Sequence, residues 1–364
     1  MKNLKNIFLS SIHQNAGKTT VALGLYKVFK EHRFRTAFMK PIGQKIVTVH
    51  NQQVDKDSYL MGEVYRSRRF KHMSPITLER GFTERYIFNP QKNVLRKAIE
   101  KSFAHLTRGQ DAIIVEGTGH AGVGSVIDFS NADVAGLFGS KVLIISQGGI
   151  GRSIDEIMLN KALFDLKNVE VLGVIINKVL PEKYEKVRKA LFQGLKNKGI
   201  RLLGVIPADP ILSSPTIRQV MNQLNLELLC GKSTIDTHVK ATIVAAMEPQ
   251  NMMTYLRDGV LVITSGDRID NILVSISSHL IRRGKRLTIS GIILTGGMIP
   301  EPKIIDLLQR SRIPVLLSPD DTYTVAGKIE SLVCKIETTD KDKILEAGRL
   351  VTKYVDVERI LKAL

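Results

Sequence analysis

The chain has 364 residues, with 53 Lys and Arg against 35 Asp and Glu, and its formal net charge is +18 at pH 7. A hydrophobic content of 43% is ordinary for a folded protein and excludes global disorder. No stretch approaches the roughly 18 consecutive apolar residues of a membrane-spanning helix. The apolar run at residues 7–9 is too short for a secretion signal, and the two cysteines, Cys230 and Cys334, lack the spacing of a metal site or a disulfide framework. These features predict a cytoplasmic protein, with two or three domains at roughly 100–200 residues each.

The positive charge is spread over the whole sequence. The densest basic groups are residues 66–71 and 282–286, and neither is interleaved with several aromatic residues. Trp is absent, and the sequence has no helix-turn-helix, zinc-finger or RNA-binding pattern. We therefore expect a solvated basic surface that attracts small anions, and we expect no dedicated nucleic-acid site and no membrane partner.

Short β-branched runs that are apolar throughout are typical of buried parallel strands. In the first part of the chain, such runs cover residues 6–10, 36–39, 112–115, 142–145, 171–176 and 202–206. Stretches with helical periodicity separate them, at residues 19–32, 93–106, 153–166 and 181–198. This alternation predicts a doubly wound α/β domain with a mostly parallel sheet and helices on both faces, over residues 1–212.

The pattern changes after residue 212. A helical stretch at 216–228 precedes a second series of apolar runs, at 242–245, 259–264, 291–294 and 314–317. This series predicts a smaller α/β domain over residues 213–335. Helical periodicity with many charges over residues 340–364 predicts a C-terminal helical tail, which we bound at 336–364.

A candidate phosphate-binding loop joins the first predicted strand to the first predicted helix, in the segment 8–20. The helix opens at Gly17, Lys18 and Thr19, and such a loop directs backbone N–H groups and the positive end of the helix toward a phosphate. We expect Lys18 to reach the β- and γ-phosphates and the Thr19 hydroxyl to bind Mg²⁺. The other residues expected to contact the nucleotide here are His13, Asn15, Ala16, Gly17 and Thr20.

The spacing of this loop resembles that of dethiobiotin synthetases. Ile12 stands where the usual loop has its first glycine, and Ser11 occupies the first position of the longer loop found in that family. The resemblance extends to Lys40, which precedes a proline after the second strand, to Asp57 further on, and to Glu116 at the end of an apolar run. The resemblance implies a P-loop nucleotide-binding domain that uses ATP and Mg²⁺.

Two acidic residues are candidate ligands for the cation. Glu116 ends a buried strand beside several glycines, a position that suits a ligand of Mg²⁺ or a residue that orients water. Asp57, taken alone, fits a helix cap or a surface acid equally well. The resemblance implies that both bind the metal together with Thr19, and that Lys18, Lys40 and Glu116 act in catalysis.

Four further residues are candidate contacts for the base or for a second substrate. The resemblance implies that Asn177 contacts the adenine base, although an Asn in this position can also cap a loop. Pro207 belongs to a segment that resembles the loop closing the base pocket. Gly119 and His120, together with Lys40, are candidate contacts for a second substrate, although a lone histidine such as His120 is more often a structural hydrogen-bonding group.

A closer resemblance covers nearly the whole chain. The glycine-rich stretch 116–125, with residues 266–268 and 295–297 in the second domain, resembles a family in which a dethiobiotin-synthetase-like domain is joined to a DRTGG domain. The same pair of domains forms the N-terminal half of long phosphate acetyltransferases. The sequence ends at Leu364 without a counterpart of their catalytic domain, so we expect no complete phosphate acetyltransferase.

Two functions are open at this point. The first is a Mg²⁺-dependent ATP-binding protein with a slow ATPase or nucleotide-sensing role linked to the DRTGG domain, which shows no evident acid–base set of its own. The alternative is an ATP-dependent ligase that activates a carboxylate or carbamate by phosphoryl transfer, as dethiobiotin synthetases do. The expected ligands are an adenine nucleotide and a second small-molecule substrate or effector. Because the active site of those synthetases lies at a dimer interface, the resemblance also implies a homodimer.

Overall fold

The computed structural model describes residues 4–280 and 287–364, so the basic group at 282–286 lies outside the described residues. The chain divides into two compact units. The first unit comprises Met1–Asp209 and Ile336–Leu364, and the second comprises Pro210–Lys335. The segment predicted as a separate tail is therefore part of the first unit, and the second unit is inserted between two parts of the first.

The described part of the first unit alternates strands and helices up to Asp209. Its strands are β1 (Lys5–Ser11), β2 (Thr36–Met39), β3 (Ile42–Gly43), β4 (Ile46–Val49), β5 (Gln52–Asp55), β6 (Ile76–Thr77), β7 (Ala112–Glu116), β8 (Lys141–Gln147), β9 (Val171–Val179) and β10 (Leu202–Pro207). Its helices are α1 (Lys18–Glu31), α2 (Lys56–Tyr65), α3 (Phe70–Met73), α4 (Phe82–Phe88), α5 (Lys92–Thr107), α6 (Asn131–Leu137), α7 (Gly151–Leu166) and α8 (Tyr184–Lys196), with 3₁₀ turns at Ser125–Ile127 and Pro181–Lys183.

The central sheet of the first unit has six parallel strands in the order β10-β9-β8-β1-β7-β2. The chain moves from β1 toward one edge to form β2, and from β8 toward the other edge to form β9 and β10. Right-handed crossovers therefore place α1 on one face and α7 and α8 on the opposite face. This arrangement confirms the predicted α/β class with a mostly parallel sheet, and all six predicted strands are present.

The connection between β2 and α5 contains structure that the apolar pattern did not predict. β4 and β5 form an antiparallel hairpin whose turn residues, His50 and Asn51, have φ of 46° and 60°, as in the turns that favour Asn. β3 and β6 form a two-residue parallel ladder beside it. These strands are two to four residues long and mix buried, half-buried and exposed residues, so they lack the continuous apolar run of a buried strand. The hairpin brings Asp55 to the start of α2.

The second unit contains its own α/β sheet. Its strands are β11 (Glu227–Cys230), β12 (Ala241–Val244), β13 (Val260–Ser265), β14 (Ile289–Thr295) and β15 (Val315–Leu317). Its helices are α9 (Pro210–Ser213), α10 (Ile217–Leu224), α11 (Pro249–Met252), α12 (Ile269–Leu280), α13 (Pro302–Ser311) and α14 (Thr322–Glu330), with 3₁₀ turns at Lys232–Thr234 and Met253–Tyr255. The order is β11-β15-β14-β13-β12, with β11 antiparallel to β15 and the other pairs parallel.

Alternate strand residues of the second unit pack into two separate cores. Val262 and Leu294 pack with the α12 and α13 side, while Leu261 and Ile293 pack with residues of α10 and α14. This is the alternation expected for a sheet that is covered on both faces.

The prediction of one helix over 216–228 was wrong at its C-terminal end. α10 ends at Leu224 because Asn225 adopts a left-handed conformation, with φ of 54°, and its N–H donates to the Met221 carbonyl. Asn tolerates this conformation better than most residues. The chain then reverses direction, and the following residues form β11 against β15.

The chain returns to the first unit as two helices, α15 (Lys341–Tyr354) and α16 (Val357–Ala363). The break between them lies at Val355, which is extended and forms an antiparallel bridge with Gly204 of β10. α15 packs against α1, and Gly24 of α1 faces Val351 of α15. In the parts of the chain that the structure describes, no helix combines the length and apolar character needed to cross a membrane.

Candidate functional site

The predicted site residues lie at one edge of the central sheet. Because its strands are parallel, their C-terminal ends meet at this edge, which is where ligands bind in open α/β sheets. β1 leads into the phosphate loop, β7 ends at Glu116, and Lys40 follows β2 directly. The fold therefore brings Lys18, Thr19, Lys40, Asp57 and Glu116 into one buried or half-buried cluster.

The phosphate loop has the backbone conformation that its sequence demands. Gly17 precedes α1 with φ of 101°, and a Cβ there would lie 2.0 Å from Nδ2 of Asn177. Only glycine fits both conditions. The first part of the loop is attached to the sheet, because the Ile12 N–H donates to the Ile145 carbonyl at 3.1 Å and the Ser11 N–H donates to the Gly119 carbonyl at 3.2 Å.

Side chains from β8 and β9 hold two carbonyl groups of the loop. Asn177 Nδ2 donates to the Ala16 carbonyl at 3.0 Å, and its Oδ1 accepts the Lys178 N–H at 2.9 Å. Lys178 Nζ and Gln147 Nε2 both donate to the Asn15 carbonyl, at 2.9 and 3.2 Å. Asn177 is 4% exposed and lies inside β9, which extends beyond the predicted strand. In this structure, Asn177 is a support for the loop.

Lys18 is 8% exposed, and its Nζ donates to Ser11 Oγ at 2.8 Å. Ser11 Oγ also lies 2.6 Å from the His13 carbonyl oxygen and 3.1 Å from that of Gly119. Ser11 is the residue that departs from the usual glycine pattern, and its hydroxyl gives the ammonium group a hydrogen-bond acceptor. The sequence shows this serine in the loop, but it did not predict the hydrogen bond between Ser11 and Lys18.

Glu116 is 1% exposed, and its Oε1 accepts a hydrogen bond from Thr19 Oγ1 at 3.0 Å. Its Oε2 is buried and has no hydrogen-bond partner among the residues that the structure describes. Burial, followed by the negative charge of Asp57, raises the pKa of Glu116 to about 7, although Lys40 and Lys18 oppose this shift. A buried acceptor without a partner is costly unless a ligand or a cation satisfies it.

Lys40 is surrounded by carboxylates. Its Nζ pairs closely with Asp57 Oδ2 and lies 3.2 Å from Asp55 Oδ1 and 3.8 Å from Glu116 Oε1. Burial alone would lower the pKa of Lys40, but Asp57, Glu116 and Asp55 together raise it above its ordinary value. Lys40 is therefore charged at neutral pH.

Asp57 is not the cap of α2. Asp55 is the N-cap, and its side chain accepts the Asp57 N–H at 2.9 Å, so that Asp57 lies in the first turn with its carboxylate on Lys40. Of the two interpretations open for Asp57, a helix cap is excluded. Asp55 is a site residue that the sequence analysis missed, although its spacing of two residues from Asp57 was visible.

The donor set fits a magnesium ion. Carboxylate and hydroxyl oxygens are the ligands that Mg²⁺ prefers, and Mg²⁺ usually keeps several waters and takes phosphate oxygens from its substrate. Thr19, Asp57 and Glu116 supply such oxygens, and Glu116 Oε2 accepts no hydrogen bond from the residues at 4–280 and 287–364. In the described parts of the chain, no group of three or more His, Cys, Asp or Glu residues could hold a metal ion by itself.

The remaining predicted residues lie outside the buried cluster. His13 is half-buried with its Nδ1 2.5 Å from the Gln14 carbonyl oxygen, and His120 is exposed with its Nδ1 accepting the Gly122 N–H at 3.2 Å. Gly119 has φ of 66°, and its carbonyl accepts the Ser11 N–H. Thr20 is half-buried in the first turn of α1, and Pro207 ends β10.

Comparison with known proteins agrees with the two-unit division. A family model described as an AAA domain matches residues 5–216, and one described as a DRTGG domain matches residues 219–332. The chain is 28% identical to a phosphate acetyltransferase of Synechocystis sp. over 99% of this chain and 52% of that protein. It is also 28% identical to a phosphate acetyltransferase of Nitratidesulfovibrio vulgaris over 96% of this chain and 50% of that protein. The chain thus spans about half the length of these curated relatives.

Among solved structures, the MinD cell division protein of Aquifex aeolicus matches 57% of this chain and 83% of its own length, with 17% identity and a TM-score of 0.35. The family assignment rests on the matched family models, which cover the phosphate loop, the site and the inserted unit. The chain belongs to the AAA-domain family matched over residues 5–216, a P-loop domain that is joined here to a DRTGG domain.

Proposed function

We propose that the first unit binds ATP together with Mg²⁺ at the phosphate loop, hydrolyses it slowly or senses it, and thereby regulates the DRTGG domain. The observation that carries this proposal is the buried cluster of Lys18, Thr19, Lys40, Asp57 and Glu116 beside a loop that only Gly17 permits. Lys18 donates to Ser11, Thr19 donates to Glu116, and Lys40 pairs with Asp57, so a nucleotide with its cation would exchange these contacts for its own.

The cluster assigns a role to each group. Lys18 would transfer its hydrogen bond from Ser11 to a phosphate oxygen, and Lys40 would face the charge on the γ-phosphate. Thr19, Asp57 and Glu116 would hold the magnesium ion, which when bound neutralises charge on the β- and γ-phosphates. The positive end of α1 adds to this attraction.

One contact supports a regulatory role. Lys56, which lies between Asp55 and Asp57, pairs with Glu337 at 2.7 Å. Glu337 belongs to the segment by which the chain returns from the second unit, two residues after its boundary at Lys335. A rearrangement at Asp57 on binding of the cation would therefore act directly on this returning segment.

A ligase that activates a carboxylate or carbamate is the second candidate. It is favoured by Lys40, because a charged, buried lysine at this position suits stabilisation of a transferring phosphoryl group. The exposed loop at Gly119 and His120 would then contact the second substrate. A homodimer, which rests on resemblance alone, is tested by measuring the mass of the protein in solution.

Calorimetry of ATP binding, with Mg²⁺ and with EDTA, tests the proposal. We expect micromolar affinity with Mg²⁺ and at least about tenfold weaker binding without it, because Thr19, Asp57 and Glu116 would hold the cation, which would neutralise phosphate charge. Glu116→Gln should keep the Mg²⁺-free affinity and lose most of the gain from Mg²⁺. No binding by the wild type would refute the proposal.

Phosphate release from the same samples separates the two functions. Turnover well below about 1 s⁻¹, under the usual enzyme range, together with nucleotide-dependent hydrogen exchange in the second unit, supports regulation. Fast turnover that requires an added carboxylate or amine with CO₂ supports the ligase.

Asn177→Ala tests the support of the loop. We expect it to weaken the binding of Mg·ATP and of magnesium tripolyphosphate by a similar factor of about tenfold, since one hydrogen bond that holds the loop is lost whether or not a base is present. Titration of both ligands measures this. A loss confined to ATP would show instead that the side chain contacts the base.

A further inference from the structure

We infer that Asp55 is a positioning residue of this site, which keeps Lys40 in place when Asp57 turns toward the cation. The inference rests on the proposed function and adds to it a residue that is neither a predicted ligand nor a member of the phosphate loop.

Asp55 is completely buried, and both of its carboxylate oxygens are engaged. Oδ2 accepts the backbone N–H groups of Gln44 and Lys45 at 3.2 and 3.3 Å. Oδ1 accepts the Asp57 N–H at 2.9 Å and lies 3.2 Å from Lys40 Nζ. Asp55 therefore connects three segments, namely the chain after β2, the end of the β4–β5 hairpin and the start of α2.

The surrounding backbone is shaped to receive this side chain. A Cβ at Gly43 would lie 2.5 Å from Asp55 Cβ and 2.9 Å from its Oδ2, so a larger residue at position 43 would displace the carboxylate. The Asp55 N–H also donates to Ser74 Oγ at 3.0 Å. The contact with Gly43 and the hydrogen bond to Ser74 therefore hold the side chain and the backbone of Asp55 in place.

Asp55 and Asp57 differ in the hydrogen bonds that each would lose by turning toward a cation. Asp55 could reach a cation only by giving up its hydrogen bonds to three backbone N–H groups, of which the bond to the Asp57 N–H is buried. Asp57 makes its close side-chain contact with Lys40 and belongs to the first turn of α2. If Asp57 held the cation, its negative charge would be shared with the metal, and Asp55 would remain as the partner that fixes the direction of the Lys40 ammonium group.

A double-mutant cycle on Mg·ATP affinity tests this division. Asp55→Asn preserves the shape of the side chain and the oxygen that caps α2. It removes the charge that holds Lys40 and places an amide NH2 group opposite the N–H groups of the exposed residues Gln44 and Lys45. We expect it to weaken Mg·ATP binding by about tenfold in the wild-type background, and to have almost no effect in a Lys40→Met background, because the two residues act through one contact. Asp165→Asn, which breaks the exposed pair with Lys161 on α7, is the matched control and should leave the affinity unchanged.

The response to Mg²⁺ provides a second test that does not depend on the folding of Lys40→Met. The ratio of ATP affinities with and without Mg²⁺ should be kept in Asp55→Asn and lost in Asp57→Asn, with melting temperatures recorded for both. If Asp55→Asn costs as much affinity in the Lys40→Met background as in the wild type, Asp55 has a general structural role. If Asp55→Asn removes the response to Mg²⁺, Asp55 is a metal ligand. Either result overturns the inference. Unchanged affinity in Asp55→Asn overturns it as well. Failure of the wild type to bind ATP would refute the proposed function itself. This outcome is distinct from the results that overturn only the role of Asp55.

Discussion

Lys18→Met is expected to weaken Mg·ATP binding by about 30- to 1,000-fold, because a charge-assisted hydrogen bond to a phosphate in a buried site is worth roughly 2–4 kcal/mol. Lys18 is buried at the first position of α1, and Ser11 Oγ accepts a hydrogen bond from its ammonium group. Calorimetry at fixed Mg²⁺ concentration measures the loss.

Methionine retains most of the apolar stem of Lys18, so the substitution removes the charge with little change in packing. The control is Lys189→Met on the exposed face of α8, which removes an equal charge away from the loop and should leave the affinity nearly unchanged. If Lys189→Met lost as much affinity as Lys18→Met, the nucleotide would be attracted by the general positive charge of the protein. Unchanged affinity in Lys18→Met would contradict the role of the phosphate loop.

The sequence alone was sufficient to predict that the loop before α1 and Glu116 follow strands of one parallel sheet, and these strands, β1 and β7, are neighbours. Both depend on short-range signals: Gly17 and Lys18 follow a buried strand directly, and Glu116 ends another one. Parallel strands in a sheet put such ends at one edge, so the proximity of these residues follows from the alternation of strands and helices. Asp57 lies in an irregular connection, and its position was inferred from resemblance.

Asp55 could not be predicted in the same way. It belongs to the short β4–β5 hairpin, whose strands mix buried and exposed residues and give no continuous apolar run. Its neighbours Gln44 and Lys45 lie just before β4, on the other side of the hairpin. The hydrogen bond from Asn177 to the Ala16 carbonyl could not be predicted either, because it joins β9 to a loop that is far away in the sequence. Contacts between segments that are distant in the sequence leave little trace in a local pattern.

The C-terminal segment shows that the assignment of a segment to a domain also depends on contacts between distant parts of the sequence. Its helical periodicity was visible, but its attachment to the first unit includes two close approaches at glycines, Gly24 to Val351 and Gly204 to Val355. A glycine inside a helix or strand is a weak signal in a single sequence. Only the structure shows which partner it faces.

Gly24→Ala is expected to destabilise the first unit, although alanine is ordinarily the better helix former. A Cβ at Gly24 would lie 2.3 Å from both Cβ and Cγ2 of Val351, so α1 and α15 would have to move apart. Overpacking of this kind costs about 1–3 kcal/mol, and it would shift the melting temperature of a unit of this size down by about 2–4 °C per kcal/mol. Hydrogen exchange of the amides of α1 and α15 under increasing urea measures the free energy of unfolding locally.

The same substitution at Gly327 is the control, because this residue lies inside α14 of the second unit and a Cβ there would have no heavy atom within 4 Å. Gly327→Ala should be neutral or stabilise that unit by about 0.5–1 kcal/mol. Stabilisation by Gly24→Ala would mean that α15 does not pack on α1 as described. Because α1 begins at the phosphate loop, displacement of this helix should also weaken Mg·ATP binding. The loss of affinity in Gly24→Ala would then accompany faster hydrogen exchange of the α15 amides.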